Sequence, residues 1–105
     1  MSKKNDRQEQ IDKEDILLKA REYVYGDRER DYNHPYDDYT RTAKIWSAIL
    51  GVEITPEQAI LCMIGVKMSR LCNSLKTDSI IDVAGYAQCL QRVKIKKEEI
   101  EKENE

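Results

Sequence analysis

At 105 residues, with 40% hydrophobic and 36% charged residues and only four glycines and two prolines, the chain reads as a single helical domain. It is too short for separate catalytic and binding domains and too apolar for a disordered chain. A net charge of −2 gives no global attraction for a polyanion and disfavours a broad basic face for duplex nucleic acid, so any phosphate is expected to be bound locally.

The first eleven residues, MSKKNDRQEQI, are nearly all polar and predict a tail rather than a signal peptide. The first helix is expected to begin at an Asp12 or Asp15 N-cap, to carry Leu17, Ala20 and Val24 as its core stripe, and to end at Gly26. The stretch from Gly26 to Tyr39, GDRERDYNHPYDDY, then reads as a loop. Beyond it, Tyr39, Ala43, Trp46 and Leu50 recur at helical spacing and define one apolar face of a second helix, stopped by Gly51.

The third helix has the strongest start signal. Thr55 can cap, Pro56 occupies a position where no amide bond is lost, and Gln58 can complete a capping box. The following AILCMIGVKMSRLCN is apolar nearly all round, which predicts a central helix or one in a subunit interface. Thr77-Asp78-Ser79 is expected to cap a fourth helix that buries Ile80, Val83, Ala84, Ala87 and Leu90. Gly65 and Gly85 lie inside these helices, where close approach of a neighbour would offset their unfavourable propensity. The expected fold is therefore an all-α bundle of about four helices. Residues 1–11 form its polar N-terminal tail, 12–93 the helical domain, and 94–105 a charged helix extension or tail. No run of about 18 apolar residues predicts a membrane span, and three cysteines without CxxC spacing predict neither a disulfide framework nor a zinc site. The expectation is a cytoplasmic protein in which Cys62, Cys72 and Cys89 are small core residues.

Two groups of residues could carry chemistry. Lys67 and Arg70 are three apart on the third helix and share a polar stripe with Ser74, facing Asp78 and Asp82 if the last two helices form a hairpin. They read either as an internal salt-bridge network or as a phosphate site in which Asp82 orients the arginine. In the loop, Tyr32, His34 and Tyr36 offer flat faces for stacking a nucleobase, and Arg28 and Arg30 could hold phosphate. The plainer alternative is that His34-Pro35 caps the second helix and the tyrosines pack the bundle end. No nucleophile motif and no metal-binding carboxylate cluster is evident, so neither a catalytic residue nor a metal or other cofactor is expected.

GDRERDYNHP, the TAKIW segment, ITPEQ, KMSRL and DSIIDVAGYA, in that order between about Asp15 and Leu90, resemble a family of small bacteriophage and prophage proteins known as an uncharacterised domain. The DxxxDxAGYA element is also distantly similar to MazG-type pyrophosphohydrolases, whose ExxE and ExxD magnesium ligands are absent here apart from Glu98 and Glu101 in the tail. The resemblance implies nucleotide handling. It points to a phage sponge that sequesters cyclic di- or trinucleotide signals of CBASS-type bacterial defence without hydrolysing them. Arg28, Tyr32, His34, Tyr36, Lys67, Arg70 and Asp82 are then the expected ligand contacts, in a pocket closed by a second subunit of a homo-oligomer, a dimer of dimers. A MazG-like pyrophosphohydrolase and a helical protein-interaction module are the alternatives.

Overall fold

The computed structural model describes residues 15–105 and is an all-α bundle. Its helices are α1 (Ile16–Tyr25), α2 (Asp27–Tyr32), α3 (Pro35–Leu50), α4 (Pro56–Asn73) and α5 (Thr77–Glu103). The polar tail and the Asp12 cap lie outside the described residues. Asp15 caps α1 by accepting the Leu18 N–H at 3.0 Å.

The segment expected to be a loop contains a helix of six residues, α2. It has no apolar periodicity, and its charge order stabilises it instead: Asp27 and Glu29 lie in the first turn, Arg30 in the last, with an Asp27–Arg30 ion pair. Gly26 separates it from α1, where a Cβ would stand 2.6 Å from the Glu22 carbonyl oxygen. Asn33, at φ +66°, ends it. α3 closes at Gly51 in the left-handed conformation, φ 72°. The Thr55–Gln58 capping box with Pro56 forms at the start of α4 as expected. Between them Ser47 Oγ donates to the Ala43 carbonyl and accepts the Ile54 N–H at 2.8 Å, tying the connection to the end of α3.

The spine of the bundle is α5, which packs against α1, α3 and α4. The core consists of Val24 from α1, Tyr39 and Ala43 from α3, Ala59 and Ile60 from α4, and Tyr86, Cys89 and Val93 from α5. Trp46, Met63, Ile64 and Leu90 pack around it. Several expected faces are rotated. α5 buries Ile81, Gly85, Tyr86, Cys89 and Val93, a stripe displaced by about one residue from the expected one, and Ala87 is exposed. Leu17 and Leu50 are also exposed, because each lies beyond the turn at which its helix meets a neighbour. The expectation of a central α4 is corrected: only Ala59 and Ile60 of this helix are buried, Cys62 and Cys72 are exposed, and Cys89 alone of the thiols is a core residue. The cap expected from Thr77-Asp78-Ser79 is not made either. Lys76 occupies the N-cap position of α5 without a side-chain hydrogen bond. The charged tail continues α5 without a break to Glu103, with Lys97 paired to Glu57 at 3.1 Å.

Candidate functional site

The α4–α5 corner is a tight turn: Ser74 N–H donates to the Arg70 carbonyl and Lys76 N–H to the Ser74 carbonyl. It brings the polar stripe of α4 against the first turns of α5. Lys67 Nζ stands 2.9 Å from Asp82 Oδ2, with the lysine side chain 14% exposed and the aspartate 36%. The pair is partly buried, and each group supplies the other's counter-charge. Arg70 and Asp78 form no ion pair among the described residues, so the four-membered network expected from the sequence reduces to one pair. Lys67, Ser69, Arg70, Asn73, Ser74, Lys76, Asp78, Ser79 and Asp82 line a cleft of about 510 Å³. This lies within the span of about 300–1,000 Å³ typical of small-molecule sites. The N-terminus of the longest helix opens here without a side-chain cap; the Ser79 N–H donates to the Lys76 carbonyl, so the Thr77 and Asp78 amides are the ones left for water or a ligand.

Asp82 also borders a narrower groove between α1 and α5, of about 20 Å³, lined by Tyr23, Val24, Arg28, Gly85, Tyr86 and Cys89 among others. Arg28 reaches into it from α2, its guanidinium carbon 5.5 Å from the Tyr32 ring centroid and 5.7 Å from that of Tyr86. Aromatic faces hold this cation, and it forms no ion pair among the described residues. Burial acts to lower the Arg28 pKa, but Tyr39, Tyr86, Cys89 and Asp38 around it together raise it above its ordinary value. Tyr39 meets Tyr86 edge-on at 6.4 Å. Burial pushes both the Tyr39 phenol and the Cys89 thiol up, which keeps them neutral.

Tyr32, His34 and Tyr36 line three different depressions. Tyr32 stays with Arg28. His34 is the N-cap of α3, its Nδ1 accepting the Tyr36 N–H at 2.9 Å. Burial, followed by the nearby Arg92 charge, lowers its pKa, favouring the neutral imidazole that this bond requires. Tyr36 packs against the core on the side of Thr40 and Lys44. The structure therefore brings Lys67, Arg70 and Asp82 to one cleft and Arg28 to the adjoining groove; Tyr32 touches Arg28 but lines a separate depression, and His34 and Tyr36 lie away from both.

Sequence reasoning missed three participants. Tyr23 and Tyr86 line the groove beside Asp82; Tyr86 stands four residues beyond Asp82 in DVAGYA, so helical spacing alone carried that signal. Arg92 stacks on Tyr25 at 4.4 Å and pairs with Glu29 at 2.7 Å, joining α2 to α5. Nothing in the local sequence indicates that pairing across 63 positions.

Among the described residues no three His, Cys, Asp or Glu side chains converge as a metal-holding group. No described helix is long and apolar enough to cross a membrane. The model of a family described as a domain of unknown function, DUF6378, matches residues 15–94. The chain is similar to the Gene 55 protein of Mycobacterium phage L5, with 36% identity over 86 residues, covering 80% of this chain and 55% of the relative. It is also similar to the Gene 55 protein of Mycobacterium phage D29, with 34% identity over 81 residues, covering 76% and 54%. The chain thus spans about half the length of these curated relatives. No solved structure matches it.

Proposed function

The chain belongs to the DUF6378 family, which has mycobacteriophage relatives, and from that premise and the corner geometry we propose that it binds a nucleotide in the α4–α5 cleft and holds it intact. The observation that carries this reading is the uncapped start of α5, facing a cleft lined by Lys67, Arg70 and Lys76 against Asp78 and Asp82. The free Thr77 and Asp78 amides, the positive end of the helix dipole and convergent cations are the elements that recognise a phosphate. Ser69, Asn73, Ser74 and Ser79 add neutral hydrogen-bonding groups for a sugar or base. Tyr23, beside Asp82 and about half exposed, supplies an aromatic face in place of His34 and Tyr36. Arg28, backed by Tyr32, lies at the far side of Asp82.

We propose sequestration rather than turnover because, among the described residues, the cleft offers only two carboxylates, one already engaged by Lys67, where magnesium-assisted pyrophosphate release calls for several hard oxygen ligands. Cyclic di- or trinucleotide signals of bacterial defence are the ligands we propose, a class that a phage gains by removing from solution.

The test is a thermal-shift and calorimetry panel of cyclic nucleotides and nucleoside triphosphates, with and without magnesium, followed by recovery of the ligand after heating. A cyclic nucleotide should raise Tm and be recovered whole. Arg70→Ala, at an exposed arginine with no ion pair among the described residues, should weaken binding about tenfold or more while leaving Tm unchanged. Pyrophosphate release, or a panel in which no nucleotide raises Tm, would overturn the reading.

A further inference from the structure

On α4, Leu61, Gly65, Met68 and Cys72 recur at steps of four, three and four and form one stripe, and all four are exposed. The stripe carries no charge and lies on the opposite side of the helix from Arg70. Gly65 has open space where its side chain would be, with nothing within 4 Å. Leu61 and Met68, the two large side chains of the stripe, are 53% and 57% exposed.

From this arrangement we infer that α4 is the interface of a twofold homodimer, with the α4 helices of two copies packed antiparallel. The order of sizes along the stripe selects the occupant. It runs large, small, large, small, and read backwards it runs small, large, small, large. Two antiparallel copies therefore set Leu61 against Cys72 and Met68 against Gly65, filling the space that the glycine leaves. A parallel pairing would oppose large to large and leave a gap at the glycine. This self-complementarity is what an isologous interface requires.

Leu61 and Met68 are the large side chains that such a pairing would cover on each subunit, and each would fill the space opposite a small residue of the second copy. A second copy would also cover Cys62 and Cys72, the two thiols that the subunit's own core does not enclose. The inference is independent of the ligand, because the cleft lies on the other side of α4.

Sedimentation of the full chain across a concentration range tests it. The native protein should sediment at twice its 12.3 kDa subunit mass. Gly65→Met, which opposes two methionines, and Met68→Gly, which leaves a hole, should each raise the dimer dissociation constant tenfold or more. The double swap Gly65→Met/Met68→Gly should return it to within about threefold of native, because the complementary order is restored on the same axis. Far-UV circular dichroism should show the same helix content for all four proteins. A native chain that is monomeric throughout, whether another protein covers the face or none does, overturns the inference. So does a dimer indifferent to both single substitutions, or a double swap no better than the singles.

Discussion

Asp82→Asn separates holding a ligand from acting on one, because the two roles give opposite signs. Asp82 Oδ2 is 2.9 Å from Lys67 Nζ. A phosphate oxygen accepting a second N–H of the same ammonium at a similar distance, along a tetrahedral direction, lies about 4.7 Å from Asp82 Oδ2. The carboxylate is about one-third exposed, so an effective dielectric constant of about 40–80 applies, and the repulsion comes to about 1–2 kcal/mol. Neutralising Asp82 while keeping an acceptor for Lys67 should therefore tighten nucleotide binding roughly 5- to 30-fold, read by calorimetry. The same change weakens the ion pair of a lysine that is only 14% exposed. It should cost about 1 kcal/mol, lowering the Tm of the free protein by roughly 4–8 °C. Tighter binding by a less stable protein is the expected signature. A folded Asp82→Asn protein that has lost binding would refute the reasoning and make Asp82 a direct ligand contact or a metal ligand.

Three further outcomes follow from the packing. His34 caps α3 only when neutral, and its folded pKa lies below the ordinary histidine value, so its contribution is present above about pH 6.5 and is lost as pH falls through the folded value. His34→Asn should keep the cap and flatten the fall in Tm between about pH 7.5 and 5, and an unchanged slope would assign that fall to other groups. Gly85→Ala places its methyl 3.6 Å from Val24 Cγ2, an ordinary contact, so it should raise stability by up to about 1 kcal/mol in chemical denaturation. A loss there would show that α1 and α5 approach more closely than this geometry. Ile60→Ala empties a fully buried position and should cost about 2–5 kcal/mol in the same measurement.

What could be read from the sequence was the punctuation. Asp15, Gly26, Gly51 and the Thr55–Gln58 box act through bonds within a few residues, and each stands where local chemistry placed it. The buried faces were less legible, because helices apolar on more than one side, such as α4 and the start of α5, do not announce which side meets a neighbour. Ala87 was misplaced for that reason, and Leu50 because it lies past Trp46, at the very end of its helix. α2 was invisible to a hydrophobic pattern, since DRERDY folds through charge order and through the Arg92–Glu29 bridge to a distant helix. In the candidate site, the Lys67–Asp82 pair was legible from hairpin spacing. The separation of His34 and Tyr36 from it was not, because α2 and the turn at Asn33 set it by three-dimensional placement.

The contact of Val24 with Gly85 joins the first described helix to the last. It also dictates an order of events during synthesis. The α3–α4 hairpin has its caps, its turn and its Ser47 tie within its own sequence, and it can form as soon as it emerges. α1 cannot, because most of its packing is against α5, which is made later. Until Tyr86, Cys89 and Val93 have left the ribosome, Val24, Tyr39 and Ile60 lack the surface that covers them. The nascent bundle thus carries an open core until α5 emerges, and a ribosome stalled before Ile81 would hold a hairpin with an exposed apolar flank.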